Sequence, residues 1–156
     1  MVKVLYKLFL AVMIALFFGF GVAVFYQTPK APEYVGSVME KDPNNLTAEQ
    51  QKQRDDFDVA QKSYEKDFAE YNRNVSAIII GISVLILIVS LTLLIQIEII
   101  GDGVLLGGLF TLIYGMIRGL MSMDSRYQFG IVTLGLLIAL SLGYIKFIRP
   151  EKKANN

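Results

Sequence analysis

The chain contains no cysteine and no histidine. A disulfide framework, a thiolate or imidazole metal site, a histidine-ligated haem and a Cys or Ser-His nucleophile system are therefore excluded at the outset. Charge is scarce as well, at 19% of 156 residues against 54% hydrophobic ones, a balance that excludes a disordered chain. The 15 basic residues are nearly matched by 14 acidic ones, for a net charge of +1, so no field gathers nucleic acid and no nucleic-acid partner is expected. No cofactor or metal is expected either. The nearest carboxylate pair, Glu98 and Asp102, has an ordinary explanation at a membrane face, which argues against an enzyme.

What the chain does have is four apolar runs, at 8–26, 74–97, 103–123 and 127–145, with Arg118 the only charge in the third. Each is long enough to cross roughly 30 Å of hydrocarbon, which takes about 20 helical residues. Hydrocarbon leaves no water to satisfy backbone groups, and the runs lack the alternation of barrel strands, so they are predicted to be helices. The expected fold class is an all-α membrane protein of four transmembrane helices, the lipid bilayer its first partner. The first run resembles a signal peptide in its basic start, Lys3 and Lys7. It is longer than a signal's apolar core and lacks a clean small-x-small site, so it is expected to remain as a span.

Lys3, Lys7, Lys146, Arg149, Lys152 and Lys153 gather at the two termini. Four spans put both termini on one side, and the excess of lysine and arginine predicts that this side is cytoplasmic in a cell (plasma) membrane. Residues 27–74, with ten acidic residues (Glu33, Glu40, Asp42, Glu49, Asp55, Asp56, Asp58, Glu65, Asp67 and Glu70) against seven basic ones, are then largely extracytoplasmic. The predicted organisation is a cytoplasmic start and first span at 1–26, a Pro-containing strap at 27–46, a long helix running into the second span at 47–100, the third span and outer turn at 101–126, and the fourth span with a basic tail at 127–156.

Thr47 lies three residues before Gln50, a capping-box spacing, and no Pro or Gly follows until Gly81. One unbroken rod of about 50 residues, roughly 75 Å, is expected from there through the second span. Phe57, Tyr64, Phe68 and Tyr71 recur along it at helical spacing. This aromatic stripe needs a cover, either the strap of the same chain or another protein. Asn45-Leu46-Thr47 and Asn74-Val75-Ser76 match glycosylation triplets only weakly, and Asp55-Asp56-Phe57-Asp58 lacks the glycine and spacing of a calcium loop.

Lipid tails are as apolar as leucine, so membrane helices associate where small residues let backbones approach. Ala11, Ala15, Gly19 and Ala23 mark the first span at every fourth residue. Gly103, Gly107, Thr111, Gly115 and Gly119 mark the third, and Gly135, Ala139 and Gly143 the fourth. The third span is therefore expected to be central and tightly crossed on one face. The second span has Ser76, Ser83 and Ser90 every seventh residue; these are expected to bridge to other helices, the rest facing lipid. Asp102 and Ser125 are placed to cap the third and fourth spans, and Glu98 to meet Lys7 or Lys146. Arg118 shares a face with Thr111, Tyr114 and Gly115, which points it into the bundle near enough to the outer end to snorkel.

These features favour a non-enzymatic protein that works by association, as a homo-oligomer or as an accessory or structural subunit with another membrane protein. The alternative is a small channel or transporter with a pore formed between protomers. One protomer offers little polar lining, no inverted repeat and no Pro-broken helix.

Overall fold

The computed structural model describes residues 1–33, 46–92, 94 and 96–148. Within them the chain is an all-α protein of four helices, α1 (Val2–Phe25), α2 (Ala48–Thr92), α3 (Glu98–Leu120) and α4 (Ser125–Gly143), the last running into a π-helical turn at Tyr144–Ile148. All four are long and apolar enough to cross a membrane.

The long helix begins as its capping spacing requires. The Gln50 amide donates to Thr47 Oγ1 at 3.3 Å, and the Thr47 amide donates to Gln50 Oε1 at 3.1 Å. It then runs for 45 residues, about 68 Å, and stops at Thr92 rather than continuing through 97. Nothing in the sequence punctuates this stop. The turn is held by local backbone hydrogen bonds, with the Leu94 amide on the Val89 carbonyl, the Ile97 amide on Leu94 and the Gly101 amide on Ile97. A Cβ on Gly101 would lie 2.5 Å from the Leu94 carbonyl oxygen, so only glycine lets the chain fold back this closely. Because Gly101 already bonds to Ile97, the first turn of α3 closes ahead of Asp102. The expected cap at Asp102 is thus corrected: α3 begins at Glu98, its cap position is Ile97, and no side chain caps it. The cap of α4 is likewise Asp124, not Ser125. Asp124 is extended, and its carboxylate accepts from the Arg126 and Tyr127 amides. Met123, in the left-handed region at φ 55°, turns the chain into that cap.

α3 is the central helix, packed against α1, α2 and α4. Its small residues do not share one face, contrary to expectation. An ideal helix repeats every 3.6 residues, so a fourth-residue row drifts by about 40° at each step and by about 160° over four steps. The row consequently serves three neighbours in turn. A Cβ on Gly103 would meet Leu10 of α1 at 2.8 Å and one on Gly107 would meet Ile14 of α1 at 2.9 Å. Gly115 faces Ile79 and Ile80 of α2 at 2.9 Å, and Gly119 faces Ile131 of α4 at 2.3 Å and Ser76 of α2 at 2.6 Å. Gly108, outside the row, lies under Leu87 of α2. Thr111 is fully buried and satisfies its hydroxyl on the Gly107 carbonyl of its own helix.

α2 is a packing helix rather than a lipid-facing one. Val75, Ile79, Ile80 and Leu87 are buried together with Ser76, Ser83 and Ser90. The serines serve mainly by being small: Ser83 bonds back to Ile80 of its own helix, Ser76 Oγ has no partner among the described residues, and Ser90 alone reaches another helix, at the Gly101 carbonyl, 2.7 Å away. In α4 only Ile131 and Gly135 are buried, Gly135 beneath Met116. Ala139 is exposed and a Cβ on Gly143 would meet nothing within 4 Å, so among the described residues the second half of the expected α4 ridge makes no close helix approach.

Gly107→Leu should lower the thermal midpoint in detergent, because the new side chain meets the branched Cβ of Ile14, which cannot swing aside. Overpacking of this kind costs on the order of 1 to 3 kcal/mol. Gly81→Ala, at a position with nothing within 4 Å, should leave the midpoint unchanged or raise it. Equal midpoints for Gly107→Leu and wild type would mean that the α1–α3 crossing contributes nothing to stability.

Candidate functional site

Polar side chains collect at the two ends of the bundle. Sixteen residues of α3 separate Asp102 from Arg118, about 24 Å of rise, which matches the hydrocarbon thickness less the reach of the side chains.

At one end Asp102 accepts from Lys7 of α1 at 2.6 Å and from Lys146, just beyond α4. The ion-pair position was expected for Glu98. The structure gives it to Asp102, one helical turn further along, where α1 and the end of α4 both approach. This contact also shows that the N-terminal end of α1 and the C-terminal end of α4 lie at the same end of the bundle. Ser90, Glu98 and Asp102 line a depression there with Lys146.

The other end is built around Arg118. Its Nε donates to Tyr114 Oη at 3.1 Å and one terminal nitrogen donates to Asn72 Oδ1 at 2.9 Å. The guanidinium lies 5.7 Å from the centre of the Tyr71 ring and 5.6 Å from that of Tyr114. Asn72 is fully buried and its amide nitrogen donates to the Phe68 carbonyl at 2.8 Å, which fixes its oxygen toward the arginine. Arg118 thus does not simply snorkel to the nearer membrane face but ties α3 to α2. Among the described residues no carboxylate comes within 4 Å of it. Hydrogen bonds to a charged group contribute about 1.5 to 3 kcal/mol each, and a cation over an aromatic ring about 0.5 to 2. The cage supports the cation without neutralising it.

Around this cage the ends of the helices nearest the α2 rod are laced together. Tyr26 stacks on Tyr71 with ring centres 5.4 Å apart. Tyr71 Oη donates to the Tyr26 carbonyl at 3.3 Å and accepts from Thr28 Oγ1 at 3.2 Å, while Asn74 donates to Tyr26 Oη at 3.0 Å. Tyr127 Oη donates to the Arg73 carbonyl of α2. The aromatic stripe splits accordingly. Tyr71 is buried among Val22, Val75 and Ile79, whereas Phe57, Tyr64 and Phe68 are half-buried. Tyr64, Phe68 and Tyr71 stack in sequence at 5.6 and 6.3 Å. Pro29, Lys30 and Pro32 of the strap share a depression with Ala60, Ser63, Tyr64 and Asp67, so the same chain covers part of the stripe. The remainder of the strap, 34–45, lies outside the described residues, as does the basic tail beyond 148.

The small residues of α1 have unequal roles. Ala11 is fully buried, but Ala15, Gly19 and Ala23 line an open groove with Phe110, Tyr114 and Arg118. Sequence reasoning missed Asn72. The signal was available: Asn72 stands four residues before Ser76 and extends the seam of Ser76, Ser83 and Ser90 outward on the same face of α2. Among the described residues no three His, Cys, Asp or Glu side chains gather closely enough to hold a metal ion.

No family model, no curated protein and no solved structure matches this chain.

Asn72→Leu and Arg118→Leu should be strongly coupled. Each single change leaves the other partner, the buried Asn72 or the half-buried Arg118, without this hydrogen bond, and the double change removes both, so a double-mutant cycle on thermal unfolding should return an interaction of about 0.5 to 3 kcal/mol. Arg118→Lys should recover only part of the loss, since an ammonium cannot serve Tyr114 and Asn72 through a planar fork. Additive single-mutant effects would show that the two residues act separately.

Proposed function

We propose that this protein is a non-enzymatic integral membrane protein that works by association, as a homo-oligomer or as an accessory or structural subunit of a membrane complex. The observation that carries this reading is the length of α2. Its 45 residues exceed by more than a factor of two the about 20 needed to cross the hydrocarbon. The surplus of about 25 residues makes a rod that rises roughly 38 Å beyond the bilayer. Such a rod has no chemistry of its own; it holds a surface at a fixed height. Its wet side presents Lys52, Asp55, Asp56, Lys62, Glu65 and Lys66, all exposed, mixed charges suited to a specific and reversible contact. In this reading the half-buried aromatics Phe57, Tyr64 and Phe68 are shared between the strap and the partner.

The end that holds Lys3, Lys7 and Lys146 is assigned to the cytoplasmic side of the plasma membrane, and the rod to the outside. The rule of lysine and arginine retention supports this assignment.

Two measurements test the proposal. The mass of the complex extracted under mild conditions should exceed that of one chain, and cysteines at Gln61 and Lys62 should form intermolecular crosslinks in native membranes. Ion flux through liposomes holding the protein alone would replace the structural role with the channel reading, whose pore lies between protomers, and a monomer mass with no crosslinks would overturn association in either form. A cysteine at Gln53 should be labelled by an impermeant maleimide in intact cells and one at Lys3 should not; the reverse pattern inverts the orientation.

A further inference from the structure

We propose that the groove between α1 and α3 binds one anionic phospholipid from the leaflet on the side of the α2 rod. The acyl chain lies against Ala15, Gly19, Ala23 and Phe110, and the phosphate is held by Arg118 and Tyr114. The groove has a volume of about 380 Å³ and is lined almost entirely by apolar side chains, with Arg118 and Tyr114 as its polar groups. Along α1 it runs from Val12 to Ala23, about 16 Å of rise, which is half of the roughly 30 Å hydrocarbon thickness and hence the depth of one leaflet.

The chemistry at its polar end is incomplete in a way that specifies the occupant. A guanidinium has five N–H donors in a fixed fork, and the hydrogen bonds of Arg118 engage Nε and one terminal nitrogen only. The other donors are left for an acceptor, and no carboxylate within 4 Å among the described residues balances the charge. Tyr114 Oη accepts from Arg118, so its own proton is free to donate beside the guanidinium. Two donors and an uncompensated cation match the oxygens of a phosphodiester. A zwitterionic lipid brings its own cation to the site, whereas an anionic one supplies the missing charge. The lipid is specified from both ends, since the phosphate needs Arg118 and the chain needs the groove.

The test uses the full chain purified in mild detergent and native mass spectrometry with phosphatidylglycerol, phosphatidylcholine of the same acyl chains, or inorganic phosphate. Retention of phosphatidylglycerol should exceed that of phosphatidylcholine at least tenfold, and inorganic phosphate at equal concentration should neither bind nor displace it. Arg118→Gln should reduce phosphatidylglycerol to the phosphatidylcholine level. Should that variant fail to fold, Ala23→Phe carries the test, because Ala23 is exposed and a phenyl ring there fills the groove without entering a helix contact. It should cut phosphatidylglycerol retention at least fivefold with Arg118 intact. Equal retention of the two lipids by the wild type, displacement by inorganic phosphate, or undiminished binding in Ala23→Phe would each overturn the proposal. An effect of Ala23→Phe confined to the mass of an oligomer would assign the groove to a second copy of the chain and overturn it as well.

Discussion

Close backbone approach to α3 is the constraint on which the bundle depends. Inside a membrane the burial of apolar surface gives no preference for helix over lipid, so a helix with three neighbours needs a region without bulk toward each of them. α3 meets this need with a row of small residues whose drift around the helix carries it from α1 to α2 and then to α4, and with Gly108 beside it under α2. The bulk is supplied by the neighbours, from Leu10 and Ile14 on α1, Ile79, Ile80 and Leu87 on α2 and Ile131 on α4. Helix α2 contributes small residues of its own in the buried Ser76, Ser83 and Ser90. Ser83 absorbs its polarity within its own helix, while Ser90 spends its hydroxyl on the Gly101 carbonyl of α3.

Packing of this kind is tolerant of sliding, and the polar groups at the two ends limit it. Asp102 gathers Lys7 and Lys146, joining α1, α3 and the end of α4. Arg118 joins α3 to α2 through Asn72. The two ties sit about 24 Å apart on one helix, so a shift of α3 along its axis would pull both apart at once. Single residues with high desolvation cost thereby set a register that a smooth apolar interface leaves open.

The four spans, the capping box at Thr47 and the centrality of α3 were legible in the sequence because each rests on local composition or spacing. The turn at the end of α2 was not. Thr92 is followed by residues as helix-compatible as those before it, and the chain turns because Gly101 can lie against the Leu94 carbonyl, a contact between positions seven apart whose partners cannot be paired by periodicity. Asp102 was placed at a helix end for its local cap propensity, but two lysines from distant segments compete for the same carboxylate, and the ion pairs decide where it sits. Arg118 could be assigned to the inward face by arithmetic. Its partner could not, since Asn72 lies 46 positions away, and only the serine seam of α2 hinted at that face. The ridge of α4 failed from Ala139 onward because small residues permit an approach without compelling one.

The arginine cage also shapes how α1 meets α3 toward the rod side. In the lower half of their crossing the glycines belong to α3 and α1 supplies the bulk, as Leu10 on Gly103 and Ile14 on Gly107. In the upper half the order reverses: Gly19 of α1 faces the Tyr114 ring at an ordinary van der Waals distance of 3.6 Å. Tyr114 cannot lean further into α1 because its hydroxyl is engaged by Arg118, which is itself held by Asn72 on α2. The tie that draws α3 toward α2 therefore keeps Tyr114 from filling the space beside Ala15, Gly19 and Ala23. An apolar groove with a cation at its mouth follows from the same three side chains that fix the register of the bundle, so stability and any recognition at this face draw on one interaction and cannot be tuned independently.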